Sequence, residues 1–205
     1  MKLPGKTVQR LSRYRRILYK YRYLEEPYIF SHDLARLLNI NPVQVRRDLM
    51  LIGGSGNHRK GYHVKELMQL IGEKIDSEKG RKIILVGIGK LGQAIAEYLS
   101  DREMFQDIIA LFDIDPVKVG KTMYDIPCFD IRDLSQMIKK KKVSIAILTV
   151  PSDYAVTIAE LLIDSGIEGI LNFTSVRLNT PENVFVQDFD IITSLEEMSY
   201  RLSLK

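Results

Sequence analysis

The sequence predicts an α/β chain in two parts, a small basic helical unit followed by a doubly wound parallel sheet. Three observations predict it. From Lys82 onward, near-continuous apolar runs alternate with helix-like segments, as in a sheet covered on both faces. The first third holds helix-spaced apolar residues, capping residues and a proline-led helix. Charge also divides between the parts: residues 1–80 carry 16 Lys and Arg against 8 Asp and Glu, whereas residues 81–205 carry 14 against 18. A basic part beside an acidic part implies two domains with different partners, the first suited to a polyanion.

Composition removes several classes. No apolar run is long enough to cross a bilayer, and Met1–Lys6 lacks the apolar core of a signal peptide, so no membrane role and a cytoplasmic location are expected. The single cysteine, Cys128, excludes an internal disulfide and a cysteine-based zinc site within one chain; a small buried hydrophobe is its expected role. His32, His58 and His63 share no short metal-ligand spacing, so no metal is expected.

In the basic part, Thr7 to Glu25 has helical spacing, with Val8, Leu11, Ile17, Leu18, Tyr21 and Leu24 as an apolar stripe. Arg13, Arg16 and Lys20 lie on another face, and Pro27 stops the helix. Ser31 is expected to cap a short helix, His32 to Leu38. Asn41 caps a second, which begins at Pro42 and runs to Met50. Leu34, Leu37, Ile40, Val45 and Leu49 are candidate core, and the three-residue turn between the helices makes a helix-turn-helix pattern. Gln44, Arg46 and Arg47 then face solvent near the start of the second helix. Arg can pair bidentately with guanine and Gln with adenine, and either can hold phosphate; a merely solvated basic face is the alternative. The glycine-rich stretch Gly53 to Tyr62 carries His58, Arg59 and Lys60, which fits a basic wing laid along phosphates or into a minor groove. Val64 to Ile71 resumes helical spacing, and Gly72 to Gly80 is the expected linker.

The second part opens on its strongest motif. The apolar run Lys82–Val86 feeds into Gly87-Ile88-Gly89-Lys90-Leu91-Gly92, a helix-like stretch follows, and a second apolar run ends at Asp113, 21 positions past Gly92. Strand, glycine turn, helix, strand and acid form the dinucleotide fingerprint of a Rossmann-type sheet. Gly87 serves the tight turn, Gly89 the close approach of a pyrophosphate, and Gly92 the packing of helix on sheet, while Asp113 is placed to accept from a ribose diol. An acid here favours NAD or NADH over their 2′-phosphorylated forms, although Lys118 is near. Further along, Val143–Val150 and Ile167–Phe173 read as strands, and 131–140 and 153–165 as helices. Their strand ends place Thr149, Val150, Pro151, Asn172 and Phe173 beside the same crevice, with ordinary strand-end capping as the alternative for Thr149 and Asn172. A last amphipathic segment, Asp190 to Leu204, carries Leu195, Met198 and Leu202 on one face.

A dinucleotide site does not by itself make an enzyme. The second part has no histidine, and no tyrosine in the chain is followed by lysine four positions on, so two common dehydrogenase arrangements are missing. A sensor is the expectation, not an enzyme. An NAD-dependent dehydrogenase or a nucleotide- or CoA-binding enzyme subunit with an accessory basic domain remains the alternative. A DNA-binding protein with a vestigial dinucleotide site is a third reading.

The residues also carry a resemblance that spans nearly the whole chain. Arg10-Leu11 with Tyr14, Gln44–Leu49, Gly61-Tyr62, Gly87–Gly92, Phe112–Pro116 with Lys118–Gly120, Leu148–Pro151 and Gly166–Phe173 together resemble the Rex family of bacterial redox-sensing transcriptional repressors. The resemblance implies a homodimer with an N-terminal winged helix-turn-helix domain (1–76), a Rossmann NAD(H)-binding domain (77–188) and a C-terminal dimerisation helix (189–205) exchanged between subunits. It implies binding to double-stranded operator DNA that is released when NADH binds, while NAD⁺ permits it. It places Tyr98 near the nicotinamide and makes Arg16 and Asp190 an interdomain switch. The candidate DNA contacts are then Arg10, Arg13, Arg16, Ser31, Gln44, Arg46, Arg47, His58, Arg59 and Lys60. Two departures stand out. The wing reads His58-Arg59-Lys60-Gly61-Tyr62 where the family usually has Arg-Gly-x-Gly-Tyr, and Thr174-Ser175 replaces a frequent Ala-Pro.

Overall fold

The computed structural model describes residues 3–24, 27–57, 59–76, 82–100 and 108–204. The chain divides into two compact units, Met1–Lys79 and Gly80–Lys205.

The described residues of the first unit form four helices and a two-stranded ribbon. α1 (Gly5–Tyr21) buries Thr7, Leu11, Tyr14 and Leu18, and leaves Arg13, Arg16 and Lys20 exposed. The buried positions recur every three or four residues, the spacing of one helical face. β1 (Tyr28–Ile29) leads into α2 (Ser31–Leu38), and α3 (Pro42–Leu51) starts as expected, with Asn41 Oδ1 accepting from the Val43 amide. β2 (Tyr62–His63) pairs antiparallel with β1, and α4 (Val64–Ile75) closes the unit. The core joins Leu11, Tyr14 and Leu18 to Leu34, Ala35, Val45, Leu49, Val64, Leu67 and Ile71.

Three expectations need correction here. Ser31 is not the cap of α2: that position is Phe30, and Ser31 is a buried first-turn residue. Leu37 is half exposed, because the inward phase of α2 falls on Leu34 and Ala35. α4 continues four residues beyond Ile71, since Ile75 still packs on the core; the rest of the expected linker, from Ser77, lies outside the described residues.

In the second unit, β3 (Ile83–Val86), α5 (Lys90–Ser100), β4 (Ile108–Asp113), the short β5 (Thr122–Met123), β6 (Ile126–Asp130), α6 (Leu134–Lys141), β7 (Ile145–Leu148), α7 (Ser152–Asp164), β8 (Gly169–Asn172), β9 (Phe185–Asp188) and α8 (Ile191–Ser203) follow in order. The sheet runs β5-β6-β4-β3-β7-β8-β9, parallel except for the β5–β6 pair. Apart from β5, this is the 3-2-1-4-5-6 order of the doubly wound dinucleotide fold. Separate apolar clusters cover its two faces, one around Ile84, Phe112 and Leu148, the other around Leu85, Leu111 and Ile147. Alternate residues of the same strands therefore face opposite helix layers, which is why these strands read as unbroken apolar runs. Strand order reverses between β3 and β7, and such a reversal opens a crevice at the strands' carboxyl ends.

Candidate functional site

The glycine turn occupies that crevice. Gly87 has φ +96°, a conformation L side chains rarely adopt, and its amide donates to the Phe112 carbonyl. The Thr149 hydroxyl donates to the Gly87 carbonyl at 2.7 Å, tying the turn after β3 to the end of β7. A Cβ on Gly92 would stand 2.0 Å from the Gly87 carbonyl oxygen, so only glycine lets α5 start against the turn. A Cβ on Gly89 would meet no atom within 4 Å. The room at Gly89 opens on a cavity of about 530 Å³ lined by Gly87, Gly89, Lys90, Leu91, Asp113, Thr149, Val150 and Pro151. Of the motif's other two residues, Ile88 is fully buried and Gly92 lies beneath the turn.

Asp113 is built into the cradle as well as lining it. Its Oδ2 accepts from the Ile88 amide at 2.7 Å and from Lys118 Nζ at 3.2 Å, and its Oδ1 accepts from the Asp115 amide at 2.9 Å. Burial opposes its charge, but the Asp115 and Ile88 amides and the Lys118 ammonium outweigh that and hold its pKa below the usual carboxylate value. A carboxylate has about four acceptor sites, so three bonds leave room for about one more. Lys118, also 3.4 Å from Asp115, lines the same cavity. A ribose diol thus meets one acceptor and a neighbouring ammonium, and a pyrophosphate meets the amide-lined turn at the start of α5; the residues present fit a dinucleotide. Cys128 is buried on β6 beside β4, its thiol pushed up by burial and by the Asp113 charge, as suits a packing residue.

Besides Ile88 and Gly92, three expected cofactor residues do not line the cavity. Tyr98 is exposed, more than two turns along α5 from Lys90. Asn172 is buried and spends its amide on the sheet edge, donating to the Val176 carbonyl and Asp188 Oδ1 while accepting from the Thr174 amide and hydroxyl. Phe173 stacks on Phe189. Sequence reasoning missed the apolar wall of Ile114, Ile131, Tyr154 and Ile158, which the β4–β5 and β6–α6 connections and α7 bring to the crevice. The Thr174-Ser175 departure places a hydroxyl, Ser175, 2.9 Å from that of Ser152 at the start of α7.

In the first unit, Arg46 and Arg47 are exposed on α3, and Arg13 and Arg16 on α1. The wing is a tight hairpin: Asn57 and Gly61 exchange both backbone hydrogen bonds, and Asn57 Oδ1 accepts from the amides of Arg59 and Lys60. Both cations are exposed at its tip; His58 lies outside the described residues. Gly61 has φ +82°, and a Cβ there would stand 2.5 Å from the Ile29 carbonyl oxygen, so the wing's return requires glycine. Arg10 is placed differently from the expectation. It grips Asp48 through Nε at 2.6 Å and Nη2 at 2.7 Å, so its guanidinium is committed within the unit rather than turned outward to DNA. Gln44 is half-buried and donates to Asp48 at 3.0 Å. Asp48 itself was missed. The available signal was phase: Val45, Asp48 and Leu49 share the inward face of α3.

At the other end of the chain, Asp190 caps α8, accepting from the Ile192 and Thr193 amides and the Thr193 hydroxyl, which lower its pKa. Among the described residues nothing covers α8: Ile191, Ile192, Leu195, Met198, Tyr200 and Leu202 are all exposed. Among the described residues no helix is long and apolar enough to cross a membrane, and no group of three or more His, Cys, Asp or Glu is placed to hold a metal ion.

Comparison with known proteins divides the chain in the same way. A family model described as a putative DNA-binding protein N-terminus matches residues 2–49, and one described as a CoA binding domain matches residues 78–176. The redox-sensing transcriptional repressor Rex of Listeria welshimeri is 33% identical over 204 residues, covering 98% of this chain and 94% of that protein. The Rex of Treponema denticola is 35% identical over 199 residues, covering 97% and 95%. Among solved structures, RSP in complex with β-NAD⁺ and operator DNA superposes with a TM-score of 0.84 at 32% identity, covering 98% of this chain and 93% of that one. RSP in complex with β-NADH gives 0.79 at 30% identity, covering 98% and 95%.

Proposed function

Because the chain belongs to the Rex family of redox-sensing transcriptional repressors, we propose that it binds operator DNA through its first unit and NAD⁺ or NADH through its second, with operator affinity falling as the NADH/NAD⁺ ratio rises. It is a regulator, not an enzyme, as its relatives are. The observation that carries the reading is the cradle: a glycine turn, an open Gly89 and a partly unsatisfied Asp113 at the reversal of strand order, in a chain that also presents Arg46 and Arg47 on a proline-led helix and Arg59-Lys60 on a wing.

Within this reading, Gly87, Gly89, Lys90, Leu91, Asp113, Thr149, Val150 and Pro151 hold the dinucleotide, with Ile88 and Gly92 supporting the turn and Lys118 added. Arg13, Arg16, Arg46, Arg47, Arg59 and Lys60 supply the outward cations for DNA. Arg16 and Asp190 are assigned to the switch. The active species is a homodimer, supported by the uncovered apolar surface of α8, which a second subunit's surface would bury. NAD⁺ and NADH differ by a hydride and by the charge on the nicotinamide ring. A hundredfold preference of one redox form for the DNA-releasing conformation shifts the equilibrium by about 2.7 kcal/mol.

The test is a titration of the full chain against a duplex selected from a randomised pool, with NADH and with NAD⁺. Weaker binding with NADH is expected; equal affinity in both refutes the switch. Sedimentation of the Leu195→Glu, Leu202→Glu double variant addresses the dimer, with a shift to monomer expected.

A further inference from the structure

Exposed arginines explain affinity for a polyanion, but nothing above explains Asp48, an acid with no exposed surface on the inward face of a basic helix. Side chains meet all its acceptor capacity: Arg10 Nε at 2.6 Å and Nη2 at 2.7 Å, Tyr14 Oη at 2.8 Å, and Gln44 Nε2 at 3.0 Å. Apolar residues of similar volume would join α1 to α3 at least as firmly as a desolvated ion pair does, so holding two helices together does not by itself call for this network.

What it achieves that an apolar contact cannot is to orient Gln44. That residue lies in the first turn of α3, the part of a recognition helix that reaches base edges. A glutamine amide has two orientations, with oxygen and nitrogen exchanged. Ionised Asp48 only accepts, so it admits only the NH₂ end. Gln44 then keeps one N–H and its carbonyl oxygen, the donor–acceptor pair that an adenine edge reads. Arg10 and Tyr14, both on α1, hold the carboxylate that makes this selection.

We propose that Asp48 is a positioning residue for operator reading: gripped by Arg10 and Tyr14, it sets the amide of Gln44 in the orientation that selects adenine. The proposal rests on the repressor reading above and deepens it.

The experiment uses the full chain and a duplex pool randomised over about 20 base pairs, room for two half-sites one helical turn apart. Selection defines the preferred site, and competition with single-base variants gives the discrimination at each position. Gln44→Ala and Asp48→Asn are each expected to lower discrimination about tenfold at one and the same A·T pair, and their combination to lower it little further. The salt dependence of binding should not change, because no phosphate contact is lost. In Asp48→Asn the new amide can donate as well as accept, so Gln44 is free to flip. If Asp48→Asn does not fold, Arg10→Lys, which keeps the charge but loosens the two-point grip, must weaken discrimination at that same pair. Uniform weakening across the site with the preference pattern intact would assign Asp48 to fold maintenance and overturn the proposal, as would a loss at a different pair from that of Gln44→Ala. Failure of the wild type to enrich any sequence would sink the repressor reading, and this proposal with it.

Discussion

The two units each place an ionised aspartate at their functional centre, and they build around it in opposite ways. Asp48 is surrounded by side chains, all four of its bonds coming from Arg10, Tyr14 and Gln44. Asp113 is held mainly by backbone, with the amides of Ile88 and Asp115 as partners and, among the described residues, Lys118 as its one side-chain partner. The first carboxylate is saturated and sealed; the second lines a cavity with about one acceptor site to spare. A saturated acid can only position its neighbours, whereas an unsaturated one can also receive a ligand. The sensitive residue should therefore be a glycine in the cradle and an acid or its partner in the first unit.

The largest effect is expected at the glycine. In Gly92→Ala the Cβ would stand 2.0 Å from a carbonyl oxygen held by Thr149, so α5 or the turn must move. We expect about 3 kcal/mol or more of stability to be lost, together with dinucleotide binding. Gly89→Ala, which meets no protein atom, should keep its stability and lose only affinity. Thermal melts with and without NADH separate the two; equal melting losses would show that the cradle does not rest on backbone closeness.

Next comes Asp48→Ala, which leaves Arg10, Tyr14 and Gln44 without their acceptor. Breaking a fully buried pair costs about 3–5 kcal/mol, but Arg10 keeps 22% of its side chain exposed and can be partly rehydrated, so about 2–3 kcal/mol is expected. Denaturant melts measure it. NADH affinity at a temperature where both proteins are folded should be unchanged; a loss there would break the separation between the two acids.

The same contrast explains what could be read in the sequence. Gly87, Gly89, Gly92 and Asp113 were legible because a backbone turn against a phosphate demands glycines at fixed spacing and an acid one strand later. Lys118 was legible as a neighbour of Asp113, but Tyr154 and Ile158 were not, since they reach the cavity only through α7. Asn172 misled because a polar residue closing an apolar run looks alike whether it lines a pocket or, as here, staples β8 to β9. Arg10 misled in the other direction: a cation in a basic helix reads as a DNA contact, and its true partner lies 38 positions away. Side-chain networks between distant helices leave no spacing to recognise.

A smaller change is expected for Asp113→Ala. Removing the ribose acceptor should weaken NADH binding about ten- to thirtyfold, or ~1.5–2 kcal/mol for hydrogen bonds to a charged group. Asp113 and Lys118 line the open cavity, so water can enter the space the carboxylate leaves, and melting without ligand should move less than in Asp48→Ala. Calorimetry with NADH and with its 2′-phosphorylated form sharpens the point. The variant should lose affinity for the first and narrow the gap between the two, because Lys118 remains while the repelling carboxylate is gone. An unchanged ratio would remove Asp113 from ribose recognition.

The smallest effect should appear in acid, where the two carboxylates again differ. Both have pKa values held below the ordinary 3.8, so the fold binds the ionised forms preferentially. Burial opposes that shift at Asp48, and the bonds from Arg10, Tyr14 and Gln44 overcome it. The stabilisation is therefore complete above the unfolded pKa, begins to fade below about pH 5, and is lost as pH falls through the lowered native values. Hydrogen-exchange protection, corrected for intrinsic rates, reports each site separately. Protection of the α3 amides should fall as the pH drops from about 5 to about 3 in the wild type and stay flat in Asp48→Asn, where no proton is taken up. Protection of the Ile88 amide should fall over the same interval and flatten only in Asp113→Asn. An acid response at Ile88 that disappears in Asp48→Asn would mean that the two carboxylates titrate as one system, and the independence of the two centres would have to be given up.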